Sequence, residues 1–147
     1  MKPPSSILVV DTAILIAALL GRGAGAFGEV ADRVALVTTD RAVAEARRRL
    51  ELGLRRPDLV DLLDALVSEI EIAPVEDLPQ PLDAAERVLR NAVPIRNGTV
   101  SDAHILALAW QIDADVWTHD RDFAGTGVAS WSTSNLLWAL AEAPLPS

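Results

Sequence analysis

Asp11, Glu45, Asp102, Asp120 and Asp122 are the side chains of this sequence best suited to chemistry. The chain has no cysteine and two histidines, which excludes disulfides, zinc–thiolate sites and thiol nucleophiles. The acids offer hard oxygen donors. Carboxylates that converge repel one another, and their pKa values climb unless a cation lies between them. Mg²⁺ or Mn²⁺ resolves that conflict. Such an ion lowers the pKa of a bound water, holds a phosphate for in-line attack and stabilises the leaving oxygen, so no covalent nucleophile is needed.

Each acid also has a structural alternative when taken alone. Asp102 complements a helix N-terminus, worth ~0.3–1 kcal/mol. Asp120 suits a turn and Glu45 a solvated helix position. Asp11 is harder to explain this way, because it interrupts an apolar segment over residues 7–20. A structural carboxylate there needs several hydrogen-bond donors.

The elements that must position these acids follow from the hydrophobic pattern. Residues 7–10 form a short, β-branched, fully apolar run that predicts a buried strand. A helix follows over 12–20, closed by Gly21 and Gly23. Residues 24–33 are ambiguous. A second strand is predicted over 35–38, then a helix capped by Asp40 and running to Leu52, with Gly53 as its stop. Pro57 opens another helix to about Glu69, its Leu59, Leu62, Leu63, Leu66, Val67 and Ile70 at helical spacing. Residues 70–73 suit a short third strand, 74–81 a Pro-rich loop, 82–92 a helix and 94–98 a turn-rich loop. Ser101 caps a helix to Ile112. A fourth strand spans 114–118 and a fifth 128–131, and Ser132 or Thr133 caps a last helix ending before Pro144. Strands alternating with helices predict an α/β fold, a three-layer α/β/α sandwich with a mostly parallel central sheet of four to five strands. In such a sheet, sites form at the carboxyl ends of the strands. Asp11 directly follows strand 1, Asp120 lies two residues past strand 4, and Asp102 sits in the first turn of its helix.

At 147 residues, half of them apolar, the chain suits a single domain spanning 1–147 with a real core rather than a disordered one. The net charge of −8 argues against a broad basic surface for nucleic acid. The five candidate acids carry part of that charge, and bound cations would offset it. Lys2, the apolar run and Ala24-Gly25-Ala26 imitate a signal peptide. The carboxylate of Asp11 inside the run opposes that reading, and the run is shorter than the ~20 residues of a membrane span. No membrane association is expected, and the lack of cysteine fits a reducing cytoplasm.

Four segments in order carry a family resemblance. Val9-Val10-Asp11-Thr12-Ala13-Ile14-Leu15-Ile16 resembles the opening of the PIN domain family, as in VapC-type toxin ribonucleases. Residues 39–50, with Glu45 inside, are similar to its second acidic segment. Ser101-Asp102-Ala103-His104-Ile105-Leu106-Ala107 resembles its third, and Thr118-His119-Asp120-Arg121-Asp122-Phe123 its fourth. The resemblance implies a Mg²⁺- or Mn²⁺-dependent endoribonuclease, with Asp11, Glu45, Asp102 and Asp120 on the metal and Asp122 as a further ligand or loop support. It implies that Thr12 and Thr118 orient ligands or water. It also implies an RNA substrate, an antitoxin protein partner and a toxin role in a toxin–antitoxin pair. Residues 54–93 match no motif of the family.

Other residues are weighed against these. His104 follows Asp102 by two and so faces elsewhere on the helix, and His119 adjoins Asp120. Arg47, Arg48, Arg49, Arg55 and Arg56 form the densest basic stretch. It suits either a phosphate backbone or pairing with local acids such as Glu51. Arg48 and Arg49, at i+3 and i+4 from Glu45, are the members nearest the site and the candidate substrate contacts; Arg96 and Arg121 are lesser ones. Trp110 and Trp117 read as core. Trp138, with Leu137 and Ala141, suits a homodimer interface or a partner helix.

Other functions fit less well. A non-catalytic RNA- or protein-binding module on the same fold leaves the full set of acids unexplained. A phosphatase of the common aspartate-nucleophile type needs a second Asp two residues on, where Ala13 stands. A dinucleotide-binding domain needs a glycine-rich turn after strand 1, and none is there.

Overall fold

The computed structural model describes residues 3–21, 23–90, 102–119 and 126–142. Its centre is β1 (Ile7–Val10), which pairs in parallel with β2 (Ala35–Thr39) on one side and β4 (Asp115–Trp117) on the other. β3 (Glu71–Ala73) continues the sheet beyond β2 and β5 (Ser130–Trp131) beyond β4, giving the order β3-β2-β1-β4-β5 with every pairing parallel. Leu8, Val9 and Val10 are each 0% exposed. Their side chains alternate between the two faces, so helices cover both.

The chain grows leftward from β1 to β3 and then crosses back to build β4 and β5. The strand order therefore reverses between β1 and β4, the switch point whose carboxyl side is the crevice where such sheets place their sites. Asp11 is the residue at that point.

Around the sheet, α1 (Thr12–Leu19), α3 (Asp40–Arg48) and α4 (Asp58–Val67) pack on one another, and α2 (Ala24–Ala31) packs on α1. The pair α5 (Pro79–Arg90) and α6 (Ala103–Ile112) packs together, with α6 against β1, β2 and β4. Helix α7 (Thr133–Glu142) lies against α2. Seven consecutive residues of α6, from Ala103 to Ala109, are buried. Its Ile105, Leu106 and Leu108 each contribute about 1.5–3 kcal/mol by burial. Phe27 of α2 stacks on Trp117, ring centroids 5.6 Å apart. Among the described residues no single helix is long and apolar enough to cross a membrane.

Several boundaries differ from the sequence expectation, each for a local reason. The ambiguous residues 24–33 fold as α2. The cap of α3 is Thr39 rather than Asp40: Thr39 is extended, and its hydroxyl accepts the Ala42 N–H at 3.0 Å. Asp40 instead takes the Val75 N–H at 3.0 Å, tying the start of α3 to the segment after β3. The helical run that begins with α3 ends at Gly53 as expected, but its last part, Arg49–Gly53, is a π turn, and Arg55 just beyond it is left-handed with φ 53°. Helix α5 begins at Pro79, inside the expected loop, because first-turn amides lack intrahelical partners and proline costs nothing there. At the end of α1, Gly21 adopts φ 87° as expected. Gly23 is held to glycine by contact, since a Cβ there would lie 2.9 Å from the Ala17 carbonyl oxygen. Residues 94–98 lie outside the described residues.

Candidate functional site

Asp11 is the N-cap of α1, and its side chain is held from two directions. One oxygen, Oδ1, accepts the Ile14 N–H at 2.9 Å. The other, Oδ2, accepts the hydroxyl of Thr118, the residue after β4. The Asp11 N–H donates to the Trp117 carbonyl at 3.4 Å. With only 8% of its surface exposed, this carboxylate has the donors that a buried charge requires, and they fix it across the β1–β4 crevice.

The next residue links it to Glu45. The Thr12 hydroxyl lies 3.3 Å from Glu45 Oε2 and 3.4 Å from the Ala42 carbonyl. Arg49, one turn further along, donates to Glu45 Oε1 at 3.0 Å. Asp11, Thr12, Glu45, Thr118 and Arg49 thus form two linked hydrogen-bond groups joined through the backbone of residues 11 and 12.

A second polar layer anchors α6 beside them. Thr38 donates to the Val10 carbonyl at 2.7 Å. The Thr39 hydroxyl lies 2.8 Å from His104 Nδ1 and shares a hydrogen with it. His104 is 1% exposed. Burial pushes its pKa down to about 4, Arg41 lowers it further, and Glu45 and Asp40 oppose the shift. The neutral imidazole is a strut between α6 and the end of β2. It sets the amino end of α6, where Asp102 occupies the N-cap position without a side-chain capping bond.

Asp120 and Asp122, with Arg96 and Arg121, lie outside the described residues. Among the described residues, no three His, Asp or Glu side chains group closely enough to hold a metal ion. His119 turns to α7, its Nε2 2.7 Å from Thr133 Oγ1; that oxygen also lies 3.0 Å from Trp117 Nε1, which donates to it. The basic stretch divides. Arg47 pairs with Asp64, Arg49 with Glu45 and Arg56 with Asp58. The Asp58 carboxylate raises the Arg56 pKa and is itself lowered. Arg48 and Arg55 are exposed and make no ion pair among the described residues. Trp117 is core, Trp110 and Trp131 are partly buried, and Trp138 is 58% exposed. Sequence reasoning missed the layer of Thr38, Thr39 and His104, whose one signal is a run of polar residues where a buried strand meets its helix.

A family model described as PIN domain matches residues 9–141. The chain belongs to the PIN domain family. The matched span includes the whole carboxyl edge of the sheet, from Asp11 through Glu45 and Asp102 to Thr118. Solved PIN-type structures share the fold. VapBC2 from Rickettsia felis, bound to a DNA fragment from its promoter, superposes with a TM-score of 0.65 at 16% identity, covering 86% of this chain and 98% of that one. VapC20 of Mycobacterium tuberculosis, a sarcin–ricin-loop-cleaving toxin, gives 0.66 at 16% identity over 83% and 96%. A toxin–antitoxin complex from Klebsiella pneumoniae gives 0.65 at 20% identity over 86% and 97%. At these identities the likeness is one of fold. No curated protein matches the chain in sequence.

Proposed function

We propose that this PIN domain, a single domain over 1–147, is a divalent-metal-dependent endoribonuclease that cleaves RNA phosphodiesters as the toxin of a toxin–antitoxin pair. The observation that carries the reading is the buried carboxylate of Asp11 at the β1–β4 crevice, braced by Ile14 and Thr118 and linked through Thr12 to Glu45. A carboxylate with a purely structural role has no need of a second acid beside it.

The donor set suits a hard cation: carboxylates only, with His104 committed to Thr39 and His119 to Thr133. Asp11, Glu45 and Asp102 do not by themselves group closely enough to hold an ion; Mg²⁺ or Mn²⁺ would have to draw them together with Asp120, with Asp122 as a fifth acid. The ion would activate water and neutralise phosphate charge. The chain's own residues do the positioning. Thr118 fixes the Asp11 carboxylate, Thr12 and Arg49 fix Glu45, and His104 sets the helix that carries Asp102. Such outer partners decide how firmly ligands are oriented. Arg48, exposed one turn from Glu45, is placed to meet an RNA phosphate. Exposed Trp138 suits a homodimer or antitoxin contact. The expected setting is the cytoplasm.

The test is cleavage of a single-stranded RNA by wild type and Asp11→Asn, with Mn²⁺ and with a chelator. Cleavage by wild type alone, abolished by the chelator, supports the reading. Equal cleavage by both proteins, or none by either, refutes it.

A further inference from the structure

A second concave site opens on the same edge of the sheet, one strand away from Asp11. It is a shallow, open groove with a volume of about 500 Å³. It lies between the start of α3, directly after β2, and the segment that links β3 to α5. Ala44, Val75, Pro79 and Leu82 make it apolar, and Asp40, Arg41 and Glu76 make it polar. Arg41 is exposed and makes no ion pair among the described residues. Arg41 and Glu45 stand four apart on α3, so the pocket's guanidinium is one helical turn from a candidate metal ligand.

The polar groups are not equivalent. Asp40 Oδ1 is occupied by the N–H groups of Val75 and Arg41. It is wall structure. Arg41 brings a guanidinium that suits a phosphate, and Glu76 a carboxylate that accepts an exocyclic amine, as acids do from cytosine N4. A cation for a phosphate, apolar walls for a base and an acceptor for its exocyclic amine lie in one concavity.

We propose that this pocket is a nucleotide subsite for the single-stranded RNA that the metal site cleaves. A base carrying an exocyclic amine lies against Val75, Pro79 and Leu82, and a neighbouring phosphate lies on Arg41. The proposal rests on the nuclease reading.

The test uses the full chain and three variants: Arg41→Ala, Glu76→Ala and Ala44→Phe. The last fills the pocket from an exposed helix position, and far-UV circular dichroism and the melting temperature verify that each variant is folded. Anisotropy of labelled single-stranded RNA is read in chelator, so that no cleavage intervenes. Arg41→Ala and Ala44→Phe should each weaken binding about five- to tenfold, as the loss of one base or phosphate contact does. Arg41→Ala should also flatten the dependence of log Kd on log salt by about 0.7, the value for one phosphate on a single strand. Ala44→Phe should leave that slope alone. Wild type should prefer oligo(C) to oligo(U) by about fivefold, and Glu76→Ala should remove the preference. Unchanged affinity in both Arg41→Ala and Ala44→Phe overturns the subsite, including the case where the pocket serves a protein instead. Cleavage with Mn²⁺ is measured separately. A wild type that binds through the pocket yet cleaves no RNA overturns the nuclease reading and leaves the subsite standing.

Discussion

The two ends of the central strands use the same residue type in opposite ways. At the amino edge, Asp115 opens β4, and its Oδ2 accepts both the Ser5 N–H and the Trp131 indole N–H at 2.9 Å. At the carboxyl edge, Asp11 accepts bonds from Ile14 and Thr118. Both carboxylates are satisfied, so satisfaction does not separate structure from function. Their neighbours do. Asp115 stands beside Trp110 and Trp131 in a cavity of about 430 Å³ and ties the amino-terminal segment to β5. Asp11 stands one residue from a threonine that reaches a second acid, at the crevice where the sheet reverses its winding.

Matched substitutions sharpen that contrast. The largest expected effect is Asp11→Asn, which should lower RNA cleavage by about 100-fold or more. Stability should change by less than about 1 kcal/mol, because asparagine caps a helix as well as aspartate does. Asp115→Ala should show the reverse, with cleavage intact and a loss of about 1–3 kcal/mol in denaturant unfolding. If Asp115→Ala abolishes cleavage in a folded protein, the two ends are not distinct.

Next in size is Thr118→Val, which removes the hydroxyl that fixes Asp11 Oδ2. Metal-dependent cleavage should fall about 10- to 100-fold, the usual cost of losing a partner that orients a ligand. Thr118→Ser should restore it, since the hydroxyl returns without the methyl. No rescue by serine would mean that Thr118 matters for packing alone.

The smallest effect is expected at the arginines. Arg47→Ala breaks an exposed pair with Asp64 and should cost no more than about 1 kcal/mol, with cleavage unchanged. Arg49→Ala should cost a similarly small amount of stability, yet it frees Glu45 and should lower the apparent Mn²⁺ affinity in the cleavage assay several-fold. Identical behaviour of the two variants would remove the distinction drawn between them.

Much of this was legible in the residues. A carboxylate at position 11 between an apolar strand and an apolar helix has few explanations, and β1 and α1 appear where the pattern puts them. Alternation of strands and helices was enough for a parallel sheet covered on both faces. The misreadings are local and physical. Thr39 displaced Asp40 as a cap because its own backbone is extended, which composition does not reveal. The prolines at 79 and 81 read as loop because position within a helix, not residue type, decides their cost. His104 showed its role only in three dimensions, because its partner Thr39 lies 65 residues away. Arg41 stands outside the denser run at 47–49, and nothing in sequence brings Val75 and Leu82 beside it.

If the carboxyl edge of the sheet binds a divalent cation, it does so through acids from distant parts of the chain. The direct test is a calorimetric Mn²⁺ titration of metal-free wild type beside Asp102→Asn and Asp115→Asn. Wild type and Asp115→Asn should bind Mn²⁺, and Asp102→Asn should lose most of that binding. Equal binding by all three, or by none even with single-stranded RNA present, would contradict it.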